Sequence, residues 1–327
     1  MAAKIVPANI DTLVTVFGGS GFLGRHVVRA LVRRDYRVRV AVRRPDLAFH
    51  LQPLGRAGQI TAVQANLRYP ESVAAALRDS KVVVNLVGIL AEAGRQRFSA
   101  IQGEGAGHIA AAAAAAGARM VHVSAIGADA HSASRYARSK AQGEAAVLAA
   151  LPSATIFRPS VMFGPEDNLF NRFAALARVL PVLPLVGGGA NKFQPVFVGD
   201  VATAIADAVE GKAKAGATYE LGGPEVVTFR EIIEFILKTI ERNRLLVPLP
   251  YWLAKFEALL LQYVPGPLNL TPDQVELLKH DNVVSAAAKI TGLTLEGLGI
   301  SPTAMAAVVP SYLWRFRRTG QFRSRAI

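Results

Sequence analysis

Apolar runs of strand length alternate with segments of helix length from Leu13 to about residue 211. A first helix is predicted over residues 22–34, and strands are predicted over residues 13–17, 38–42, 59–64, 81–87, 120–124 and 154–158. The fourth of these strands is apolar for much of its length, which is typical of parallel strands covered on both faces. This order predicts an α/β fold with a doubly wound parallel sheet, whose ligands bind at the carboxyl ends of the strands.

The pattern loosens after the sixth strand and predicts three parts. A nucleotide-binding domain is predicted over residues 11–215, with an irregular excursion at about residues 166–192. A smaller C-terminal lobe is predicted over residues 216–310, with one clear helix over residues 228–241. The last segment, residues 311–327, holds five arginines, four aromatic residues and no acid, and it predicts a basic aromatic tail.

Composition narrows the range of partners. The 327 residues carry a formal net charge of +13, and such a charge favours anionic partners such as nucleotide phosphates and lipid headgroups. No block of Lys and Arg with interleaved aromatics lies inside the predicted fold, so nucleic acid is not an expected partner. The absence of cysteine excludes disulfides and thiolate-held iron–sulfur clusters. The six histidines lack the spacing of metal ligands, so no metal is expected.

A glycine-rich turn follows the first predicted strand and opens the first predicted helix. Residues 18–24 read Gly-Gly-Ser-Gly-Phe-Leu-Gly and fit two dinucleotide templates, one starting at Gly18 and one at Gly19. Glycine allows the tight turn and the close approach of the backbone, and the helix N-terminus offers free N–H groups to a pyrophosphate. In this context the turn favours a Rossmann-like nucleotide site over a purely structural turn.

Arg43 and Arg44 stand at the end of the second predicted strand, where a carboxylate would bind the ribose hydroxyls of NAD. Guanidinium groups bind phosphate well in bidentate geometry, so this pair favours the 2′-phosphate of NADP(H). The alternative is a pair of solvated arginines before the turn at Pro45. We predict NADPH as the nucleotide.

Tyr136 and Lys140 are four residues apart, so on a helix they share one face. A free phenol has a pKa of about 10, and a neighbouring ammonium favours its ionised form. The same ammonium can also hold the nicotinamide ribose. An ordinary exposed Tyr and Lys would show the same spacing, but their place after the fifth predicted strand favours a functional pair.

Taken together, the sequence resembles the atypical extended branch of the short-chain dehydrogenase/reductase superfamily. More narrowly, it resembles the 39-kDa (subunit-9) accessory subunit family of respiratory complex I, the NADH:quinone oxidoreductase. The resemblance is carried by residues 16–24, 84–88, 121–124, 135–144, 158–167 and 194–201. It implies a tightly held, structural NADPH in a subunit that stabilises the junction of the peripheral and membrane arms, beside other complex I subunits near the quinone site.

The expected cofactor-binding residues follow the strand ends and the two motifs. They are Gly18, Ser20, Gly21, Phe22, Leu23, Gly24, Arg43, Arg44, Asn66, Leu67, Val87, Gly88, Ser124, Tyr136, Lys140, Pro159 and Val161. Active relatives usually present further hydroxyls after strand five, whereas here Ser124 is followed by Ala125 and Ile126. Because Ile126 offers no hydrogen bond to a substrate oxygen, no catalytic residue is expected.

Two other functions stay open. The first is an active NADP-dependent reductase or epimerase acting on a sugar nucleotide or a small carbonyl, with Tyr136, Lys140 and Ser124 as its catalytic residues. The second is a binding module that senses the NADP redox state without chemistry. The Ala125–Ile126 departure weighs against the enzyme, and the arginine-rich aromatic tail weighs against a freely soluble sensor.

Peripheral attachment to a membrane or to partner subunits is predicted from the C-terminal third. Large apolar residues recur at helical spacing from Trp252 to Tyr263, which indicates either a core helix or an interfacial one. We expect this helix and the tail to bind anionic lipid headgroups, at about 1 kcal/mol for each arginine. Residues 1–12 resemble neither a secretory signal nor a transit peptide. The cytoplasmic face of a bacterial inner membrane is therefore the expected location.

Overall fold

The computed structural model describes residues 9–264, 266, 268–320 and 322, so the predictions made for residues 1–8, 265, 267, 321 and 323–327 lie outside the described residues. The chain forms two compact units, neither continuous in sequence. The first comprises residues up to Ser124, Ser139–Arg158 and Val201–Tyr219. The second comprises Ala125–Arg138, Pro159–Asp200 and the residues from Glu220 onward. These units cut the chain at other points than the predicted boundary near residue 215, and the predicted excursion belongs to the second unit.

Thirteen strands and twelve helices span the described chain. The strands are β1 Leu13–Phe17, β2 Arg37–Val42, β3 Ile60–Gln64, β4 Val82–Asn85, β5 Arg119–Val123, β6 Thr155–Pro159, β7 Met162–Phe163, β8 Val182–Val186, β9 Lys192–Phe193, β10 Val196–Phe197, β11 Thr218–Leu221, β12 Val227–Thr228 and β13 Leu245–Leu249. The helices are α1 Phe22–Val32, α2 Pro70–Ala76, α3 Gly105–Ala115, α4 Arg135–Ala150, α5 Leu169–Val179, α6 Val198–Val209, α7 Phe229–Thr239, α8 Tyr251–Leu261, α9 Pro272–Leu277, α10 Ala286–Ile290, α11 Met305–Val308 and α12 Pro310–Leu313.

Seven strands form one sheet in the order β11-β6-β5-β4-β1-β2-β3. The pairings of β1 with β2 and β4, of β2 with β3, of β4 with β5 and of β5 with β6 are parallel. Every residue of β4 is buried, as expected for a central strand covered on both faces. The predicted doubly wound parallel sheet is therefore confirmed.

The alanine-rich stretch that follows β4 forms α3 and packs closely in the core of the first unit. Ala106, Ala110 and Ala113 are all buried there together with Val83 and Met120 of the sheet strands β4 and β5. The small side chains allow a close approach of the helix, and alanine is the strongest helix former.

The second unit has its own core, built from α5, α7, α11 and α12 and from the short strands. Phe163, Phe170 and Ile233 are fully buried in it. The helix predicted over residues 228–241 is α7, and Thr228 and Glu231 close its N-terminus in a capping box. Three two-stranded sheets, β7–β10, β9–β12 and β8–β13, complete this unit.

The first residues of the predicted tail are part of this core, which corrects the prediction that they stand apart as a tail. Tyr312 and Leu313 of α12 are buried, and Phe316 packs against the same cluster. The phenol of Tyr312 donates a 2.6 Å hydrogen bond to Oδ2 of Asp167. Packing in the second unit therefore accounts for Tyr312 and Phe316, whereas Trp314 and Phe322 are exposed.

The apolar helix of the C-terminal third is α8, and its large side chains lie on the surface. Ala254 and Ala258 form its buried side, whereas Trp252, Phe256 and Leu260 are exposed. The core-helix interpretation is wrong for these residues. Among the described residues, none of the helices combines the length and the apolar character needed to cross a bilayer.

Candidate functional site

The glycine turn joins β1 to α1 and is built for close backbone contact. Gly18 has a φ of +77°, a conformation that favours glycine. A Cβ on Gly24 would lie 2.3 Å from the carbonyl oxygen of Gly18, so the first turn of α1 packs directly on the backbone of the turn. Gly21, at the N-cap, makes no side-chain cap, and the first turn of α1 holds no acidic residue. The free backbone N–H groups at the N-terminus of α1, where the helix dipole is positive, therefore suit an anion such as a pyrophosphate.

The end of β4 lies against this turn. A Cβ on Gly18 would be 3.3 Å from both the backbone N and Cγ2 of Val87. The backbone bends after β4, and the side-chain amide of Asn85 stabilises this bend, because its Oδ1 accepts a 3.1 Å hydrogen bond from the N–H of Val87. A Cβ on Gly88 would lie 3.3 Å from Nζ of Lys140. The first unit thus brings the glycine turn, Val87, Gly88 and Lys140 together.

Lys140 and Ser124 adjoin the end of β5. The ammonium of Lys140 donates a 3.2 Å hydrogen bond to the carbonyl of Val123, and burial lowers the pKa of Lys140 to about 8. The hydroxyl of Ser124 is buried and has no hydrogen-bond partner within the described residues. An orphaned buried hydroxyl carries a desolvation cost of about 1–3 kcal/mol. It fits a site in which a bound ligand supplies the missing partner.

Arg43 and Arg44 follow β2 and are both exposed. Arg44 is already paired, because its Nη2 lies 2.6 Å from Oδ2 of Asp46. Asp46, two residues beyond Arg44, therefore occupies one of the two guanidinium groups predicted to bind the 2′-phosphate. Arg43 makes no hydrogen bond or ion pair with any described residue, so its guanidinium is the one available for a phosphate.

Asn66 and Leu67 follow β3 and have structural contacts. Oδ1 of Asn66 accepts from the backbone N–H of Arg68 at 3.2 Å, within its own loop. Leu67 is buried in the core of the first unit, and its carbonyl bonds Nδ1 of His108 at 2.8 Å. Both residues lie at the carboxyl edge of the sheet, as predicted, and neither side chain is shown near the glycine turn.

Three predicted residues, Tyr136, Pro159 and Val161, belong to the second unit. Burial raises the pKa of the Tyr136 phenol to about 12, which is the opposite of the shift that a general base needs. The N-terminus of α4, which carries Tyr136, is held by the carboxylate of Asp273. That carboxylate accepts from the backbone N–H groups of Arg135 at 2.6 Å and Tyr136 at 3.1 Å.

Asp273 and Asn282 were not predicted as site residues. Oδ1 of Asn282 accepts from the hydroxyl of Ser160 at 2.7 Å and from the N–H of Val161 at 3.0 Å, and its Nδ2 donates to the carbonyl of Ile126 at 3.2 Å. Both residues lie more than a hundred positions from the segments they hold. No local pattern could have signalled them.

Comparisons with known proteins show the family of this chain. The profile of the NAD dependent epimerase/dehydratase family matches residues 14–222. NADH dehydrogenase [ubiquinone] 1 alpha subcomplex subunit 9 of Arabidopsis thaliana is 37% identical over 322 residues, which cover 94% of this chain and 79% of that protein. The chain belongs to the subunit 9 family. The resemblance inferred from the sequence is therefore confirmed.

Two further relatives of this subunit 9 family member bear on its function. The 40 kDa subunit of NADH-ubiquinone oxidoreductase from Neurospora crassa is 33% identical over 94% of this chain and 80% of that protein. A ceramide reductase of Caulobacter vibrioides is 38% identical over 174 residues, which cover 53% of this chain and 54% of that protein.

Solved structures support the fold of this subunit 9 family member. A triphenylmethane reductase of Citrobacter sp. superimposes with a TM-score of 0.73 at 18% identity, over 92% of this chain and 99% of that one. An NADPH-dependent quinone oxidoreductase of Escherichia coli, crystallised with NADPH, has a TM-score of 0.70 at 20% identity, over 92% and 99%. At these identities the likeness concerns the fold alone.

Proposed function

We propose that this chain is a non-catalytic accessory subunit of a respiratory complex I that holds NADPH as a fixed structural element. The observation that carries the proposal is the 37% identity to a complex I alpha subcomplex subunit 9 over 94% of the chain. The fold by itself would not distinguish this role from catalysis, because proteins named as reductases and epimerases have it too. The family match therefore carries more weight than the sheet.

The residues that would bind NADPH lie in the first unit. The glycine turn would hold the pyrophosphate on the free N–H groups of α1, and Lys140 would hold the nicotinamide ribose. The guanidinium of Arg43 would bind the 2′-phosphate, since Asp46 already occupies Arg44. The orphaned hydroxyl of Ser124 supports a ligand at the same strand ends. When bound, NADPH supplies a hydride donor, and the proposal is that this chain does not use it.

Tyr136 and Ile126, at the positions that would serve proton transfer and substrate binding in an active enzyme, are poorly suited to those roles. Burial raises the pKa of the Tyr136 phenol to about 12, so at neutral pH almost none of it is ionised to act as a general base. The backbone N–H of Ile126 is occupied, because it donates a 3.1 Å hydrogen bond to the carbonyl of Pro159. Its side chain has no polar atom, so this position adds no donor for a substrate oxygen.

Attachment is assigned to the exposed face of α8, which we define as Trp252, Phe256, Leu259 and Leu260 together with Tyr263 in the turn that follows the helix. Exposed apolar patches of this kind mark interaction surfaces, and aromatics beside leucines suit the boundary of a bilayer. The proposal places the chain peripherally on the cytoplasmic face of a bacterial inner membrane, beside other complex I subunits near the quinone site. The related subunit of Arabidopsis thaliana is named as a mitochondrial protein.

The experiment is native extraction of the chain from membranes, followed by identification of the proteins that co-migrate with it. Co-migration with subunits of an NADH:quinone oxidoreductase is the expected result. A chain that stays in the soluble fraction, alone, would contradict the accessory role.

A second function, an active NADP-dependent carbonyl reductase, is favoured by one observation. The ceramide reductase of Caulobacter vibrioides shares 38% identity over about half of this chain, and Tyr136, Lys140 and Ser124 are all present. Steady oxidation of NADPH by the purified protein with a panel of small and lipid-borne ketones would establish this alternative. Under the accessory role, no carbonyl in the panel produces turnover.

A further inference from the structure

Four arginines gather in the second unit where three segments of the chain meet. Arg178 lies in the last turn of α5, Arg242 and Arg244 lie between α7 and β13, and Arg318 follows α12. Burial and then the positive charges of Arg244, Arg318 and Arg178 lower the pKa of Arg242. We name these four residues the arginine cluster.

Backbone carbonyls hold two members of the arginine cluster in place. Nε of Arg242 donates a 3.1 Å hydrogen bond to the carbonyl of Phe316, and Nε of Arg244 donates at 2.7 Å to the carbonyl of Ala177. The terminal nitrogens of Arg242 make no hydrogen bond within the described chain. The fold therefore fixes this guanidinium by its inner nitrogen and leaves its outer nitrogens for another partner.

No described acidic side chain forms an ion pair with the arginine cluster. The acid nearest in sequence, Glu241, lies 3.6 Å from Nε of Arg317, which is outside the cluster. Like charges held together in this way raise the free energy of the folded chain unless an anion joins them. The arrangement thus has the charge and the donors of an anion site, with the protein supplying no anion.

Exposed aliphatic residues lie next to these guanidinium groups. Val179 follows Arg178 and is 81% exposed, and Leu245 follows Arg244 and is 64% exposed. Leu245 pairs in register with Val182, also exposed, across the β13–β8 ladder. A surface that combines guanidinium donors with neighbouring aliphatic side chains suits a phosphate that is joined to a hydrocarbon chain better than a free phosphate.

We propose that the arginine cluster is a binding site for the phosphate headgroup of an anionic phospholipid. The arginine cluster shares no residue with the apolar face of α8. The cluster would bind a negatively charged headgroup, whereas the apolar face of α8 would bind hydrocarbon. The inference depends on the proposed function in one respect, namely that the chain lies at a membrane. It assigns the lipid class, which the apolar face of α8 does not.

The test uses the full chain and two pairs of substitutions. Arg178→Gln with Arg318→Gln removes two exposed cluster charges that make no hydrogen bond or ion pair with described residues, so the fold should be kept. Arg33→Gln with Arg37→Gln removes the same charge from exposed positions of the first unit. Co-sedimentation is measured with phosphatidylcholine vesicles that contain or lack phosphatidylglycerol, and an unfolding curve checks each variant.

The cluster pair should bind phosphatidylglycerol vesicles about 25-fold more weakly than the unmodified chain, from roughly fivefold for each arginine at an anionic surface. The first-unit pair should change binding by less than about threefold. Equal losses in both pairs would overturn the proposal, because net charge alone would then explain them. Unchanged binding in the cluster pair would overturn it too.

A competition arm separates lipid phosphate from free phosphate. Inorganic phosphate, compared with chloride at equal ionic strength, should neither displace the chain from the vesicles nor raise its unfolding temperature. Displacement by inorganic phosphate alone would overturn the lipid assignment. If α8 substitutions release the chain while the cluster pair does not, this inference fails and the proposed attachment stands.

Discussion

Nδ2 of Asn85 donates a 3.1 Å hydrogen bond to Nδ1 of His122 in the centre of the sheet. The amide orientation is fixed, because Oδ1 of Asn85 accepts from the N–H of Val87. Nδ1 of His122 must therefore accept, and the ring proton sits on Nε2, a buried atom without a hydrogen-bond partner in the described chain. This neutral histidine supports the bend at Val87, against which the glycine turn rests.

The first prediction concerns acid stability. Burial, with a smaller contribution from Lys140, lowers the pKa of His122 to about 3, whereas an unfolded histidine titrates near 6.5. Between these values the unfolded chain binds the extra proton, so stability falls as the pH falls below about 6.5. We expect this group to remove about 2 kcal/mol of unfolding free energy between pH 7 and pH 5.

His122→Gln is the matched variant, because its side-chain oxygen can accept from Asn85 but cannot titrate. Urea unfolding at both pH values should show that the variant lacks this part of the acid loss. An identical pH dependence in the two proteins would contradict the assignment of a neutral, buried ring.

The second prediction concerns the choice of nucleotide. Arg43→Ala should lower the affinity for NADPH relative to NADH by roughly 10- to 100-fold, the range for losing a charge-assisted hydrogen bond to phosphate. Arg44→Ala is the control and should change the preference much less, because Asp46 already binds Arg44. The ratio of the two affinities is measured by competition binding with NADPH and NADH. A preference that survives in the Arg43 variant would remove this residue from the site.

The third prediction concerns Lys140 in the chain without nucleotide. Burial lowers its pKa from 10.5 to about 8, so below about pH 8 the folded state holds a charge that burial disfavours. Lys140→Met should abolish NADPH binding and should remove this charge penalty, a gain of about 3 kcal/mol in unfolding free energy at pH 7 that is offset in part by the lost hydrogen bond to the carbonyl of Val123. The gain should shrink as the pH rises from about 8 toward 10.5, because the wild-type lysine loses its proton there. A stability difference between variant and wild type that stays constant between pH 8 and pH 10.5 would refute the buried charge.

The fourth prediction concerns the packing of the glycine turn. In Gly24→Ala the new Cβ would lie 2.3 Å from the carbonyl oxygen of Gly18 and 2.5 Å from the carbonyl carbon of Gly19, both backbone atoms. The turn must open, at a cost of at least about 3 kcal/mol. Gly21→Ala is the steric control, since its Cβ would meet only Gly18 O at 3.3 Å. Chemical unfolding measures the stability of both variants. Equal stabilities of Gly24→Ala and Gly21→Ala would contradict the close packing at Gly24.

The fifth prediction concerns the apolar face of α8. Phe256→Gln with Leu260→Gln should weaken binding to neutral phosphatidylcholine vesicles by at least about tenfold, because each residue loses roughly 1.5–3 kcal/mol of apolar burial. Both residues are more than 60% exposed, so folding stability should change by under about 1 kcal/mol. Leu47→Gln with Phe49→Gln, exposed in the first unit, should leave vesicle binding unchanged. Equal effects of the two pairs would remove α8 as the membrane contact.

The sheet could be predicted from the sequence because each of its first six strands carries a local apolar pattern, and the observed bounds of five of them differ from the predicted ones by at most one residue at either end. The exception is the fourth strand, predicted over residues 81–87, which ends at Asn85. Its last apolar residues leave the ladder because Asn85 turns the backbone at Val87. The seventh strand, β11, lies after the region that was expected to close the first domain. Its place at the sheet edge depends on pairing with β6, which no local signal reports.

The site was predictable in part, for the same physical reason. The glycine turn and the Tyr136–Lys140 spacing are local, so their residues could be named. Asp46 lies beside the named Arg44, but an ion pair depends on side-chain geometry rather than on spacing alone. Asp273 and Asn282 act on segments far away in sequence. The packing of Tyr312 on Asp167 likewise joins residues 145 positions apart, which is why the tail was taken for a surface element.

The most direct test of the central claim is the nucleotide released when the natively purified chain is denatured. The account predicts close to one NADPH per chain, retained through purification and not oxidised when carbonyl compounds are added to the native protein. An empty chain, or one that releases NAD(H) in place of NADPH, would contradict it.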